Sequence, residues 1–234
     1  MCTEMSEQGN STHAAFRHLR DLIVRGRLAP GTWMVEADVA ERLQLSRTPV
    51  RSALHQLAGE GYIHAAGAGR KARLMVAPLT REDACELYLI IGRLEGLGAR
   101  QAAALPRPRR TALAAALRGI NRQLGALAGK PTADAGRIFE LDLAFHRTLL
   151  EAAAGPRLRE MHARIQPQAE RYWRLYAGAI TGSLRLSVTE HHAIIAAVQQ
   201  GDAGAAEHGV QRNWSLGFQR LSRIIDSLGP RGGW

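Results

Sequence analysis

The chain is poor in cysteine, aromatic rings and lysine, and it has no long apolar run. Its 234 residues include two cysteines, Cys2 and Cys85. They are far apart and unpatterned, which excludes a disulfide-stapled scaffold and leads us to expect a reducing, cytoplasmic setting. Phe, Trp and Tyr make up 5% of the chain, while Ala, Leu and Gly abound. That balance favours helices packed closely through small residues over a β-rich fold. No apolar stretch is long enough to span a bilayer, and the N-terminus lacks the apolar core of a signal peptide, so no membrane association is expected. Lys71 and Lys130 are the only lysines; the other basic residues are arginines. The formal charge of +10 points to a polyanionic partner. It is spread along the chain, with 10 basic and 7 acidic residues over 1–80 and 21 and 14 over 81–234. The length suits two modest domains, each able to bury a core.

The most specific local signal is Leu43-Gln44-Leu45-Ser46-Arg47-Thr48-Pro49-Val50-Arg51-Ser52-Ala53-Leu54. It reads as the turn and second helix of a helix-turn-helix. Ser46 is placed to N-cap that helix, and Pro49 falls in the first turn, where a missing N–H is tolerated. Val50, Leu54 and Leu57 recur at i, i+4, i+7 as one buried stripe. Arg47, Thr48, Arg51, Ser52 and His55 fall on the other side. Arginines near the start of such a helix can grip guanine edges or phosphates in a major groove. Val39, Ala40 and Leu43 form a shorter helix before it. Phe16, Leu19, Leu22 and Ile23 form a third, ending near Gly26, and Leu28-Ala29-Pro30-Gly31 makes a turn. Downstream, Gly61-Tyr62-Ile63-His64 and Arg73-Leu74-Met75-Val76 read as two strands around a basic, Gly-rich tip with Arg70 and Lys71. That order is a winged helix-turn-helix.

Three stretches carry a resemblance: Arg27-Leu28-Ala29-Pro30-Gly31, Leu45-Ser46-Arg47-Thr48-Pro49-Val50-Arg51 and Gly61-Tyr62-Ile63. They resemble the DNA-binding domain of GntR-family bacterial transcription regulators. The remainder resembles the all-helical FCD ligand domain of that family's FadR-type branch. One departure concerns the helix before the turn, where relatives often carry a DNA-contacting Arg and this chain has Ala37. The basic wing, with Arg70, Lys71 and Arg73, is the expected substitute.

After Leu79-Thr80 the chain reads as helix after helix, over about 81–104, 108–128, 132–153, 156–179, 184–200 and 203–228. The breaks hold Pro106, Pro108, Pro131, Gly155-Pro156, Gly178 to Gly182 and Gly201. The expected fold is mainly α: a winged helix-turn-helix of three helices plus a β-hairpin wing, then an antiparallel bundle of about six helices. The expected division is a disordered tail over 1–11, a DNA-binding domain over 12–77, a linker over 78–80, a helical domain over 81–228 and a flexible tail over 229–234.

Asp142 and His146 stand at i, i+4 among Phe139, Phe145, Leu149 and Leu150, so both face the bundle interior and can share one metal ion. His191 shares a face with Val188, Ile195 and Val198, also inward, whereas His192 faces out. In the resembling FCD domains an Asp-x-x-x-His pair, a His after Glu and a His in the last helix hold a divalent metal beside the effector. Asp142, His146 and His191 match the first three positions, and Asn213 stands at the fourth. The resemblance thus implies Zn or Ni, held more weakly because Asn213 replaces an imidazole. It also implies an effector pocket lined by Phe139, Asp142, His146, His191 and Asn213. Many relatives carry an Arg four residues before Glu95 to meet an acidic effector; here that residue is Ile91. The function expected is a ligand-responsive regulator that binds a pseudo-palindromic operator as a homodimer formed through the helical domain. The alternatives are a metal-dependent hydrolase with an accessory nucleic-acid domain and a constitutive DNA-binding protein whose helical domain only dimerises.

Overall fold

The computed structural model describes residues 2–66, 73–128, 130, 134–180 and 184–228. Among them are nine helices and one two-stranded hairpin, and the chain divides between Thr80 and Arg81 into two compact units. No helix among the described residues is long and apolar enough to cross a membrane.

The first unit holds α1 (Cys2–Val24), α2 (Glu36–Leu43), α3 (Arg47–Gly59), β1 (Ile63–Ala66) and β2 (Arg73–Val76). Its core is the interleaving of three amphipathic stripes, with Phe16, Leu19 and Ile23 of α1 against Val39 of α2 and Val50, Leu54 and Leu57 of α3. Gln44 closes α2 in the left-handed conformation, φ 52°, and so makes the sharp turn into α3. Ser46 occupies the N-cap of α3 with extended backbone, yet its hydroxyl makes no capping bond. Part of the reason lies three residues on, and the second-position N–H of Thr48 is not engaged by the hydroxyl either. An N-cap side chain accepts from the second or third helical N–H, and Pro49, at the third position, has none.

The hairpin is antiparallel, with Ile63 opposite Val76 and Ala66 opposite Arg73, and Trp33 adds a bridge to Met75. The first strand therefore starts at Ile63, two residues later than the sequence suggested. Gly61 takes φ 78°, and the Tyr62 N–H donates to the Leu57 carbonyl, so Gly61-Tyr62 is spent on stopping α3. A second correction concerns the N-terminus. α1 runs from Cys2, where the sequence suggested a disordered tail to residue 11. Gly9 is the only strong helix breaker there, and the polar residues around it tolerate a helix. Gly67 to Ala72, which include Arg70 and Lys71 of the expected wing tip, and the expected tail over 229–234 lie outside the described residues.

The second unit is all helical: α4 (Arg81–Ala103), α5 (Arg107–Leu127), α6 (Ala135–Glu151), α7 (Pro156–Ile180), α8 (Leu184–Gln200) and α9 (Ala203–Leu228). α6 starts three residues later than its expected 132 because Asp134 is the N-cap, accepting from the Gly136 N–H at 2.8 Å. Small residues set the spacing of the bundle. Ala99, Ala102, Ala103 and Ala114 are fully buried beside Leu117, Phe145, Leu149 and Ile194. A Cβ at Gly98 would stand 2.6 Å from Leu150 Cδ1, so α4 and α6 touch closely there. A Cβ at Gly92 would stand 3.0 Å from Trp214 Cβ, which marks a close approach of α4 to α9 as well. That approach carries Glu95 of α4 to the indole of Trp214.

Candidate DNA-reading face and effector pocket

In the first unit the buried stripe of α3 leaves Arg47, Thr48, Arg51, Ser52 and His55 exposed together, as the sequence implied. Arg73 is exposed at the start of β2. Arg51 is engaged: its Nε and Nη2 both reach the Glu36 carboxylate of α2, at 3.1–3.2 Å. A capped-off turn, an amphipathic helix with a basic outer face and an adjoining hairpin make a surface suited to a duplex groove.

In the second unit the chemistry is inside. Asp142 and His146, one turn apart on α6, meet His191 of α8. Each offers one ligand atom, and these atoms lie within 4.8 Å of one another. His191 Nε2 lies 3.7 Å from Asp142 Oδ1. His191 is fully buried, with its ring stacked on Phe145 at 3.8 Å between centroids. Its other nitrogen, Nδ1, stands 3.1 Å from Asn121 Oδ1, while Asn121 Nδ2 donates to the Val188 carbonyl. Asn121 therefore presents an acceptor, which places the proton on His191 Nδ1 and leaves Nε2 as a bare lone pair. That nitrogen has no hydrogen-bond partner. Burial, and then the charge of His146, push the His191 pKa well down, so the ring is neutral.

His146 is oriented by a carboxylate. Its Nδ1 is 2.6 Å from Glu95 Oε2, so its Nε2 is the atom turned toward the other two ligands. Glu95 is itself buried, at 2% exposure, and accepts two more bonds, from His162 Nε2 at 2.8 Å and Trp214 Nε1 at 2.6 Å. Burial alone would raise the Glu95 pKa, but His146 and the bonds from both histidines hold it down to about 2. Burial would likewise lower that of His146, but the Glu95 charge and hydrogen bond hold it up to about 9. Asp142 is pushed up by burial, with His146 pulling the other way. Two imidazole nitrogens and a carboxylate, one of them an orphaned lone pair, form a donor set that suits a divalent cation.

Beside this cluster lies a cavity of about 80 Å³, lined by Phe139, Asp142, His146 and Asn213 among others. His191 is not part of that lining; it stands behind Asp142. Asn213 donates from Nδ2 to Glu190 Oε2 at 2.7 Å and hydrogen-bonds to His146, so its amide is already committed. Ile91 is wholly buried, and Arg93 bonds Gln211 on the surface. The cation of the cavity is instead Arg220 of α9, clamped by Glu190 at 2.7 and 3.1 Å. The sequence reading passed over Glu95 as a site residue, and over His162, Trp214, Asn121 and Arg220. Glu95 carried one signal: an acid on the buried stripe of Ile91, Leu94 and Ala99 must find donors. His162 carried another, standing seven residues before the buried Ala169.

A model of the FCD domain matches residues 86–215, more than half of the chain. A model of the bacterial regulatory proteins of the gntR family matches residues 12–70. The chain belongs to the GntR family, in its FCD branch. It is 28% identical over 209 residues to an HTH-type transcriptional regulator in an unstable DNA locus of Streptomyces ambofaciens, covering 88% of this chain and 83% of that protein. It is also 28% identical over 141 residues to an HTH-type transcriptional regulator in the TAR-I ttuE-ttuC' intergenic region of Agrobacterium vitis, covering 60% and 80%. Among solved structures, E. coli McbR/YncC shares the fold with a TM-score of 0.67 at 21% identity, over 94% of this chain and 99% of that one. A GntR family member from Pseudomonas syringae pv. tomato superposes with a TM-score of 0.53 at 25% identity, over 93% and 87%. This GntR-family protein is a DNA-binding transcription regulator and not an enzyme, which overturns the hydrolase alternative.

Proposed function

We propose that this regulator answers to a small effector bound in the helical unit beside a divalent metal, and that it grips a pseudo-palindromic operator as a homodimer. Arg47, Thr48, Arg51, Ser52 and His55 of α3, with Arg73, Arg70 and Lys71 of the wing, are the DNA-contacting set. The metal, Zn or Ni, is held by Asp142, His146 and His191. Asn213 would offer its carbonyl oxygen as a further donor. When bound, the ion supplies a Lewis-acidic centre to which an oxygen of the effector can attach. The chain's own residues do the rest: Glu95 fixes the His146 ring, Asn121 fixes that of His191, and Phe139 and Trp173 shape the apolar wall.

The observation that carries this reading is the buried lone pair of His191 Nε2, which faces Asp142 and has no hydrogen-bond partner. Leaving such an atom unpaired is unfavourable unless something comes to fill the gap. The test compares metal content by elemental analysis, and melting temperature with added Zn or Ni, in the wild type and in His191→Ala. Metal at 100 times its Kd stabilises the folded state by about 2.7 kcal/mol. The wild type should retain metal and gain stability, and the variant should do neither. Equal responses would overturn the metal site. Light scattering on the full chain tests the dimer, and a monomer at micromolar concentration would overturn that part.

A further inference from the structure

The two arginines of α3 are held differently. The Arg47 side chain makes no hydrogen bond or ion pair among the described residues. Arg51 reaches back 15 positions to Glu36, the first residue of α2. Its Nε lies 3.2 and 3.1 Å from the two carboxylate oxygens, and its Nη2 lies 3.1 Å from Oε2. Glu36 thus occupies one edge of the guanidinium, the Nε–Nη2 side. The other fork, Nη1 with the second hydrogen of Nη2, is left for an outside acceptor.

We propose that Glu36 is a specificity-determining positioning residue: it holds Arg51 so that the remaining fork meets O6 and N7 of a guanine end-on. The inference rests on the reading of α3 as the recognition helix with Arg51 at a base edge. Three considerations carry it. The Arg51 side chain is 59% exposed and that of Glu36 34%, and an ion pair so open adds little to folding. Glu36 is acidic on a face that must approach phosphates, so on electrostatic grounds alone it weakens binding to every duplex. A free arginine has several torsions to freeze on binding, whereas a tethered one has already lost them. Next to Glu36, Ala37 offers no cation of its own, so readout from this corner falls on Arg51.

The test is a selection of duplexes from a random 20-bp pool by the full-length wild-type protein. The best-bound duplex and a scrambled duplex of the same composition then serve as probes in anisotropy titrations at two salt concentrations. The quantity read is the ratio of the two affinities for wild type, Glu36→Gln, Arg51→Ala and the double variant. Arg51→Ala should lower the ratio about tenfold or more. Glu36→Gln should lower it about three- to tenfold, while affinity for the scrambled duplex holds or rises about twofold. In the Arg51→Ala background, Glu36→Gln should leave the ratio unchanged, because nothing remains to position. If Arg51→Ala lowers the ratio and Glu36→Gln does not, the positioning role is overturned and the readout by Arg51 stands. If Glu36→Gln lowers the ratio equally in both backgrounds, Glu36 acts through the fold of α2, which also overturns it. If Arg51→Ala leaves the ratio intact, or the pool yields no enriched sequence, the recognition-helix reading itself falls.

Discussion

The two units place the side chains of their candidate sites on opposite sides of their cores. In the first, Phe16, Val39, Val50 and Leu54 make an apolar centre, and Arg47, Arg51 and His55 stand outside it in water. In the second, Glu95, His146, His162, His191 and Asn213 are within the bundle, among Phe145, Leu149 and Ile194. On the function proposed above, the difference follows from what each has to meet. A duplex is a large external polyanion, and a flat, exposed, basic face suits it. A small ligand or an ion needs to be surrounded, so its partners must be brought inside and made to satisfy one another until it arrives. The exposed charges of α3 can therefore be altered without loss of the fold, whereas the buried groups around Glu95 are part of what holds the helical unit.

The largest expected effect tests that contrast directly. Glu95→Ala removes the acceptor shared by His146, His162 and Trp214 and leaves buried donors without a partner. It should destabilise the protein by about 3–5 kcal/mol in urea unfolding, while Arg51→Ala should stay within about 0.5 kcal/mol of wild type. Comparable losses from the two variants would break the comparison.

A second effect is pH dependence in chelator-treated protein. The His146 pKa is about 9 in the folded chain against an ordinary 6.5. Its contribution is complete below 6.5 and fades as pH rises through 9, and a shift of that size corresponds to about 3 kcal/mol. His191 behaves oppositely. Its folded pKa is depressed, so its contribution is complete above 6.5 and fades on acidification. Melting temperature should therefore pass through a maximum near the ordinary histidine range. His146→Gln should flatten the alkaline limb and keep the acid limb. An unchanged alkaline limb would show that the ion pair with Glu95 does not govern it.

Packing sharpens the comparison further. Gly98→Ala drives a methyl into Leu150, at 2.6 Å from Cδ1 and 3.3 Å from Cα, and should cost about 1–3 kcal/mol. Gly59→Ala, at the end of α3, meets nothing within 4 Å and should stabilise by up to about 1 kcal/mol. Thermal melts of the two variants should move in opposite directions. The smallest effect is Ser46→Ala. Because the hydroxyl makes no capping bond, the loss should be under about 0.5 kcal/mol, below the roughly 1 kcal/mol usual for an N-cap. A loss of the usual size would mean that the hydroxyl caps α3 in solution.

What could be read beforehand divides along the same line. The helix-turn-helix is written in contiguous residues, so its stripe over Val50, Leu54 and Leu57 and its exposed arginines were visible in order. The errors there were local competitions: Pro49 withholding an N–H from Ser46, and Gly61 ending α3 instead of starting a strand. In the second unit the helices were legible because Gly and Pro punctuate them, and Asp142 with His146 because they are one turn apart. The network around them was not. Glu95 meets His146 across 51 positions, His162 across 67 and Trp214 across 119, and Arg220 meets Glu190 across 30. Spacing along one helix says nothing about such pairs, which exist only once five helices have been brought together.

Trp173 and Trp214 both line the cavity, and the indole N–H of Trp214 is bonded to Glu95. They are two of the four tryptophans in the chain; a third, Trp33, stands half exposed in the other unit. Ultraviolet emission from this protein therefore draws much of its signal from the pocket wall. An arriving molecule that expels water from these indoles, or that loosens the bond to Glu95, changes both the brightness and the colour of that emission. The pocket carries its own optical gauge, and a collection of small compounds can be screened against the unlabelled protein by fluorescence alone.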